Sequence, residues 1–276
     1  RFHHRFAGIL TLADWIGSHA AWFPVREVSL AERVQHNRRV IPEVLKAIGL
    51  DISIPRRFAI QGPQTFQERF HFEPKPLQVA IDKLSPTQPN AQLVIAESET
   101  GSGKTEAALN WFYKLFTAGK VDGLYFALPT RVAARGLYER IHNAMARWFP
   151  DRQNRPVTIL AVPGYAQVDN LPVKAILPDE PSANRWQDDH NLSRYERVWA
   201  AEHPKRFLAA TIAVGTIDQA LLSVVQTAHA HLRSVCLDRS LLVVDEVHAS
   251  DYYMTRILKA LLKHHLSIGG YAMLLS

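Results

Sequence analysis

The chain has 276 residues, of which 47% are hydrophobic and 21% charged, with 32 Lys or Arg against 26 Asp or Glu. The net charge of +6 is compatible with a polyanionic partner, and the hydrophobic content suffices for one substantial core with a small appendage. A single cysteine excludes an internal disulfide; without a long apolar run or a secretory signal, we expect a cytoplasmic protein with no membrane partner.

The first part of the chain is predicted to be helical. Apolar residues recur at helical spacing over residues 1–24, which predicts a helix that ends near Pro24. Residues 25–75 are predicted to form a connector with one amphipathic helix, from about Leu30 to Ile48 and closed by Gly49. The remainder of the connector contains several prolines, which are typical of irregular structure.

Residues 76–276 alternate between short apolar segments and helical segments. Strands are predicted near residues 92–97, 123–128, 157–162, 211–215, 241–246 and 271–275. This alternation predicts an α/β fold with a mostly parallel sheet covered by helices on both faces. The helix and strand pattern is lost at about residues 150–204, which we interpret as an insertion with partial order that Trp186 and Trp199 anchor to the lobe. Stacking on bases is the alternative for these two tryptophans.

A glycine-rich loop follows the first of these strands and ends in Gly-Ser-Gly-Lys-Thr at residues 101–105. Glycines let the backbone approach phosphate oxygens, and the dipole of the following helix favours negative charge. We therefore expect a nucleoside triphosphate there, with Lys104 at the β- and γ-phosphates and the Thr105 hydroxyl on Mg²⁺. The other loop residues expected at the phosphates are Thr100, Gly101, Ser102 and Gly103. The alternative is a glycine-rich turn before an ordinary helix, and Ser98 stands where the strict pattern has glycine.

Two adjacent acids follow the apolar segment at residues 241–244. Open α/β sheets bind ligands at the carboxyl ends of their strands, and paired carboxylates there require a cation or a proton. We assign Asp245 to Mg²⁺, through water, and Glu246 to polarising the water that attacks the γ-phosphate. Solvated acids at a strand end are the alternative interpretation.

The sequence Asp-Glu-Val-His at residues 245–248, downstream of a phosphate loop, resembles motif II of superfamily 2 helicases. The resemblance implies a RecA-like P-loop lobe that binds ATP, in which His248 couples the γ-phosphate to the nucleic acid. The segment Lys-Pro-Leu-Gln that ends at Gln78 resembles the adenine-reading segment of these helicases, so Gln78 is expected to offer a donor and an acceptor to the base.

Two further segments resemble the helicase motifs that line the nucleic-acid track. Leu-Pro-Thr-Arg at residues 128–131 resembles motif Ia, and residues 214–222 resemble motif Ib. The residues implied as phosphate contacts, rather than base readers, are Thr130, Arg131, Gly215 and Thr216. Arg131 and Arg135 share one helix face, and a solvated surface is the alternative for that pair.

A narrower resemblance comes from residues 215–221 combined with residues 245–254, which are similar to the CRISPR-associated helicase-nuclease effector of type I systems. Residues 6–18 are similar to the last conserved segment of that family's HD nuclease domain. The resemblance implies ATP-driven movement on single-stranded DNA, a crRNA-guided surveillance complex as partner, and a divalent transition metal in the HD domain. Asp14 alone maps onto a ligand of that metal, in the full-length protein.

These resemblances divide the chain into an HD-domain remnant (1–24), a helical connector (25–75) and a first RecA-like lobe (76–276). The family pattern also implies further HD residues upstream and a second lobe downstream. We therefore expect these 276 residues to keep a partial ATP site but to hydrolyse ATP weakly and not to unwind DNA. The alternatives are a general DExH-box helicase outside CRISPR and a nucleotide-gated DNA clamp without turnover.

Overall fold

The computed structural model describes residues 2–25, 27–173, 197–247 and 252–276. The strands in these ranges are β1 Leu93–Ala96, β2 Gly123–Leu128, β3 Thr158–Ala161, β4 Gln167–Val168, β5 Leu171–Pro172, β6 Ile212–Thr216, β7 Ser240–Val244 and β8 Tyr271–Leu275. They form one sheet in the order β1-β8-β7-β2-β6-β3-β4-β5. The first six strands of that order are parallel, and β4 and β5 join antiparallel. The predicted α/β fold with a mostly parallel sheet is confirmed.

Helices cover both faces of this sheet. The α-helices of the described ranges are α1 Phe2–Gly17, α2 Leu30–Ala47, α3 Ser53–Gln61, α4 Phe66–Phe70, α5 Pro76–Asp82, α6 Lys104–Thr117, α7 Arg131–Trp148, α8 Ile217–Leu221, α9 Ala230–Asp238 and α10 Tyr252–Ser267. Pro89–Gln92 and Pro204–Ala209 form short 3-10 helices.

The burial of the central strand β2 on both faces explains why its segment of the sequence is apolar at every position. Leu124 and Phe126 belong to the core beneath α3–α7, whereas Tyr125 and Ala127 belong to the core on the opposite face. Successive side chains of a strand point to opposite faces, so a strand that is covered on both sides needs apolar residues at every position. All six residues of β2 are buried accordingly.

The connector contains more helix than the sequence predicted. The helix expected from Leu30 to Ile48 is present as α2, which begins with a capping box between Ser29 and Glu32. The single-helix prediction was wrong, because α3 and α4 follow it. Pro55 does not break α3 since it lies in the first turn, where a missing N–H leaves no intrahelical bond unmade.

Helix α1 is shorter than the predicted 1–24 segment and packs on α9. A Cβ atom at Gly8 would lie 2.4 Å from the His231 carbonyl oxygen and 2.4 Å from Val235 Cγ2, so the two helices cross where only glycine fits. Arg5 Nε pairs with Asp238 Oδ2 at 3.1 Å across the same interface.

The region predicted as an insertion is described only in part. Trp199 is buried in the core on the α9 side of the sheet, with the Arg206 guanidinium 4.9 Å from its ring centroid. This placement fits the anchoring role predicted for it. Trp186 lies outside the described residues.

Candidate nucleotide-binding site

The carboxyl edge of the parallel strands brings the two predicted halves of the site together. The loop at residues 97–103 follows β1, the acids Asp245 and Glu246 follow β7, and β8 lies between the two strands. With adjacent strands about 4.8 Å apart, β1 and β7 are separated by about 10 Å. That span suits a ligand of the size of a phosphate chain.

Lys104, Thr105, Asp245 and Glu246 line one cleft of about 340 Å³. Thr100, Gly101 and Gly103 of the loop line it as well. Ser102 is not among its described lining residues; its amide N–H donates to the Glu99 carbonyl at 3.2 Å. The cleft therefore brings backbone amides at a helix start together with the Lys104 ammonium, the Thr105 hydroxyl and the carboxylates of Asp245 and Glu246.

Two glycines of the loop have the left-handed backbone conformation. Gly101 has φ 81° and Gly103 has φ 87°, values that L-residues with a Cβ adopt at a cost of about 1–2 kcal/mol. Gly103 is also the N-cap of α6, and a Cβ atom there would lie 2.0 Å from Gln78 Nε2. The local geometry therefore requires glycine at residue 103 for two separate reasons.

Lys104 folds back across the loop. Its Nζ donates to the carbonyl oxygen of Ser98 at 2.7 Å and to that of Ser276, after β8, at 3.0 Å. A triphosphate would offer charged oxygens to the same ammonium group, and hydrogen bonds between charged groups are stronger than those to neutral carbonyls. The lysine is thus held in the cleft and can exchange neutral acceptors for phosphate.

The acidic pair has a defined backbone. The amide N–H of Asp245 donates to the Ala127 carbonyl at 2.9 Å, which extends the pairing of β7 with β2. Asp245 Oδ1 accepts the amide N–H of Glu246 at 3.0 Å, and Glu246 has φ 54°. A left-handed conformation at a non-glycine residue is uncommon, and such strain concentrates at functional sites. His248, the last residue of this predicted motif, lies outside the described residues.

Gln78 holds the phosphate loop from the side. Its side chain is 1% exposed; Oε1 accepts the Lys75 amide N–H at 2.9 Å and Nε2 donates to the Gly103 carbonyl at 3.1 Å. Lys75 Nζ donates to the Gly101 carbonyl at 2.6 Å. Each atom of the Gln78 amide keeps one hydrogen-bonding position, so the predicted contact with adenine stays a prediction.

Four residues of the cleft were not identified from the sequence: Phe72, Lys75, Glu106 and Arg140. Arg140, on α7, donates to Glu106 Oε1, on α6, at 2.6 Å. Lys75 lies three residues before Gln78, and that proximity is a usable signal. No local pattern marks Arg140, because the packing of α7 beside α6 brings it to the cleft.

The predicted nucleic-acid residues divide into an exposed pair and a buried pair. Thr130 and Arg131 are exposed, and Thr130 Oγ1 accepts the Ala133 N–H at 3.2 Å as the N-cap of α7. Gly215 is buried and Thr216 is only 7% exposed. The burial of these two residues leaves little surface for the phosphate contacts that we expected of them.

Tyr125 explains the burial at the end of β6. Its hydroxyl donates to the Thr216 carbonyl at 2.8 Å, and a Cβ atom at Gly215 would lie 2.7 Å from that hydroxyl oxygen. Complete burial raises the pKa of Tyr125 far above its usual value, so the hydroxyl remains a donor. Gly215 is thus required by packing, whatever its part in DNA binding.

Asp14 is exposed on α1, and its carbonyl oxygen accepts the Ser18 hydroxyl at 2.6 Å. Among the residues that the structure describes, no group of three or more His, Cys, Asp or Glu side chains is placed to hold a metal ion. In the part of the chain that the structure describes, Asp14 therefore lacks the companions that a metal site needs. In the same ranges, no helix is both long and apolar enough to cross a bilayer.

A phosphate loop and an acidic pair at the carboxyl edge of a mostly parallel, helix-covered sheet define a RecA-like P-loop domain. The family model described as type III restriction enzyme, res subunit, matches residues 68–269, and the chain belongs to this family. Individual proteins similar to this chain are CRISPR-associated helicase-nucleases, which confirms the resemblance noted in the sequence.

The CRISPR-associated endonuclease/helicase Cas3 of Escherichia coli (strain K12) is 31% identical over 98% of this chain and 30% of its own length. The crystal structure of T. fusca Cas3-AMPPNP matches 99% of this chain and 29% of that one, with 31% identity and a TM-score of 0.72. A CRISPR RNA-guided surveillance complex, pre-nicking, contains a chain that matches with 26% identity and a TM-score of 0.61, covering 99% of this chain and 25% of its own. The present chain thus spans about 30% of the length of such relatives, and the similarities support a CRISPR helicase motor domain.

Proposed function

We propose that the chain is the first motor lobe of an ATP-dependent DNA helicase or translocase that acts in type I CRISPR interference. The observation that carries the proposal is the single cleft lined by Lys104, Thr105, Asp245 and Glu246. A triphosphate needs a cation, a metal-binding hydroxyl, a metal-binding carboxylate and a water-activating carboxylate, and this cleft offers all four.

The residues that carry the proposal have separate parts in ATP hydrolysis. The amides of Thr100, Gly101 and Gly103, which line the cleft, and the Lys104 ammonium bind the phosphates. The Thr105 hydroxyl and the Asp245 carboxylate are oxygen donors, the type that Mg²⁺ prefers, so they would hold this ion. When bound, Mg²⁺ neutralises phosphate charge. Glu246 orients the attacking water and accepts its proton, and Gln78 and Phe72 border the base.

Binding to single-stranded DNA is proposed at the same edge of the sheet. Thr130 and Arg131 follow β2, whose neighbours are β7, with the acidic pair, and β6, with Thr216. DNA phosphates bound at the end of β2 would lie beside the end of the neighbouring strand β7, which carries Asp245 and Glu246. A second lobe of the full-length protein, with arginines that reach the γ-phosphate, would complete the cleft; residues 1–276 alone would hydrolyse ATP weakly.

The N-terminal segment is proposed as the end of an HD nuclease domain, followed by a connector up to residue 75. In the full-length protein Asp14 would be one ligand of a transition metal there. The described part of this chain does not complete such a site, so no nuclease step is derived from it. A crRNA-guided surveillance complex is the proposed partner, and the cytoplasm the proposed location.

The test compares Glu246→Gln with Glu106→Gln in the full-length protein that contains this chain. Both carboxylates line the cleft, but Glu106 is already paired with Arg140. Removing the general base should lower kcat for DNA-stimulated ATP hydrolysis by at least about 100-fold, with the Kd for ATP little changed. Glu106→Gln should retain most of the turnover.

A nucleotide-gated clamp gives a different result. Its wild-type form would bind ATP and DNA without steady hydrolysis, and Glu246→Gln would behave like wild type. Either of these observations would contradict the proposed motor function.

A further inference from the structure

Helix α10 begins at the same sheet edge as the proposed DNA contacts. It connects β7 to β8, two parallel neighbours, so it starts at the carboxyl edge and runs back along one face of the sheet. Helix α8, which follows directly from Thr216, contacts α10 on that face. The N-terminal turn of α10 therefore extends the row formed by the ends of β7, β2 and β6.

Two tyrosines begin this helix and face solvent. Tyr252 is 79% exposed and Tyr253 is 69% exposed. The Arg256 guanidinium carbon lies 6.0 Å from the centroid of the Tyr252 ring, so a cation shares this surface with the aromatic rings. Adjacent exposed rings beside a cation are the combination that stacks unpaired bases.

The same helix is strongly basic on its outer side. Arg256, Lys259 and Lys263 are exposed at helical spacing, whereas Leu258, Leu261 and His265 are buried on the opposite side. The helix contains no Asp or Glu. Tyr252, Tyr253, Arg256 and Lys259 thus form one aromatic and basic surface, here called the α10 face.

We propose that the α10 face is a binding surface for single-stranded DNA. Bases stack on Tyr252 and Tyr253, and the side chains of Arg256 and Lys259 contact the phosphates next to them. A duplex keeps its bases stacked inside, so exposed rings favour a single strand. The proposal rests on the proposed function, because it lengthens the DNA path that begins at Thr130 and Arg131.

The first experiment uses fluorescence anisotropy to measure the Kd of the full-length protein for a labelled oligothymidine of 20 nucleotides. The double variant Tyr252→Ala/Tyr253→Ala should bind at least about 5-fold more weakly, the loss expected for one base stack. Tyr252→Phe/Tyr253→Phe keeps the rings and should bind like wild type. Affinity for a 20-base-pair duplex should change less than affinity for the single strand.

The second experiment concerns the cations. For Arg256→Ala/Lys259→Ala, the slope of log K against log salt should fall by about 1.4, since each contact to a single strand contributes about 0.7. Lys83→Ala/Lys120→Ala removes two exposed lysines elsewhere and should leave the slope unchanged. Unchanged melting temperatures and ATP affinity would establish that the variants are folded and that the cleft is intact.

Wild-type affinity in both α10 variants would overturn the inference. Equal losses in the alanine and phenylalanine variants would also overturn it, as would reduced binding to the surveillance complex with unchanged binding to oligothymidine. If the wild-type protein itself neither binds single-stranded DNA nor hydrolyses ATP, the proposed function fails instead.

Discussion

Gln78 Nε2 donates a hydrogen bond of 3.1 Å to the carbonyl oxygen of Gly103, so the residue expected to read the base also holds the end of the phosphate loop. Lys75 Nζ holds the Gly101 carbonyl in the same way, at 2.6 Å. Both carbonyls belong to residues with left-handed backbone. The segment before β1 therefore sets the loop conformation that presents the amides to a phosphate.

Substitution of Gly103 by alanine tests this arrangement. The new Cβ would lie 2.0 Å from Gln78 Nε2 on a backbone with φ 87°, so either the loop or the Gln78 amide that holds it must shift. We expect affinity for a fluorescent ATP analogue to fall by about 10-fold, equivalent to about 1.4 kcal/mol. Gly119→Ala is the matched control, because Gly119 has φ 69° but open space around it. That control should lower the melting temperature through backbone strain and leave nucleotide affinity intact; equal affinities in the two variants would contradict the prediction.

Lys75→Met tests the second contact. The side-chain length is kept while the donor to the Gly101 carbonyl is lost, which should loosen the loop and weaken nucleotide binding about 3-fold, in line with about 0.5–1 kcal/mol for an exposed contact. Lys75→Arg should restore most of the affinity. Lys83→Met, at the exposed C-terminal end of α5, is the control for removing a lysine from the same segment. The same titration serves for all three, and a wild-type Kd for Lys75→Met would refute the role.

The site could be predicted from the sequence where a short motif fixes its own geometry. The phosphate loop and the acids after β7 each follow an apolar strand, and parallel strands end at a common edge, so their meeting in one cleft followed from local patterns. Arg140 could not be found in this way, since it reaches the cleft through the contact of α7 with α6. Phe72 lies in the segment between α4 and α5, where no motif marks it.

Other differences between the sequence expectations and the structure also have local physical causes. Thr216 is the last residue of β6 and is only 7% exposed, and its carbonyl oxygen accepts the Tyr125 hydroxyl from a neighbouring strand. Such cross-strand contacts leave no signal in one segment. The connector helix α3 was missed because the prolines of this segment are typical of irregular structure, although a proline in the first turn, such as Pro55, is compatible with a helix. Sequence patterns thus predict the positions of helices and strands better than they predict the contacts between them.

The close crossing of α1 and α9 predicts opposite effects for two glycines of one helix. Gly8→Ala would place a methyl group 2.4 Å from the His231 carbonyl oxygen, and overpacking of this kind costs about 1–3 kcal/mol in the free energy of unfolding. Gly17→Ala, where nothing lies within 4 Å, should be neutral or stabilise by up to about 1 kcal/mol through helix propensity. Urea unfolding of both variants measures the difference, and equal midpoints would show that α1 does not pack on α9 in solution.

Asp238, in the same interface, predicts a dependence of stability on pH. Burial raises its pKa from 3.8 to about 6, although Arg5 opposes the shift. Because the folded state then binds the proton more tightly than the unfolded state, this carboxyl stabilises the fold at low pH and the contribution is lost as pH rises from about 4 to 6. Asp238→Asn removes the titration, so the melting temperature of the variant minus that of wild type should increase over this range and stay constant above it.

The melting temperature of wild type must be subtracted in that measurement, because buried histidines change the stability with pH in the opposite direction. Burial lowers the pKa of His265 and His142, so protonation of the unfolded chain below pH 6.5 destabilises the fold, equally in wild type and variant. A second variant, Arg5→Gln, extends the experiment. Without the guanidinium the pKa of Asp238 should rise further, so the loss of stability with rising pH should extend to higher pH. A difference between wild type and Asp238→Asn that does not change between pH 4.5 and 7.5 would mean that Asp238 is not buried against α1.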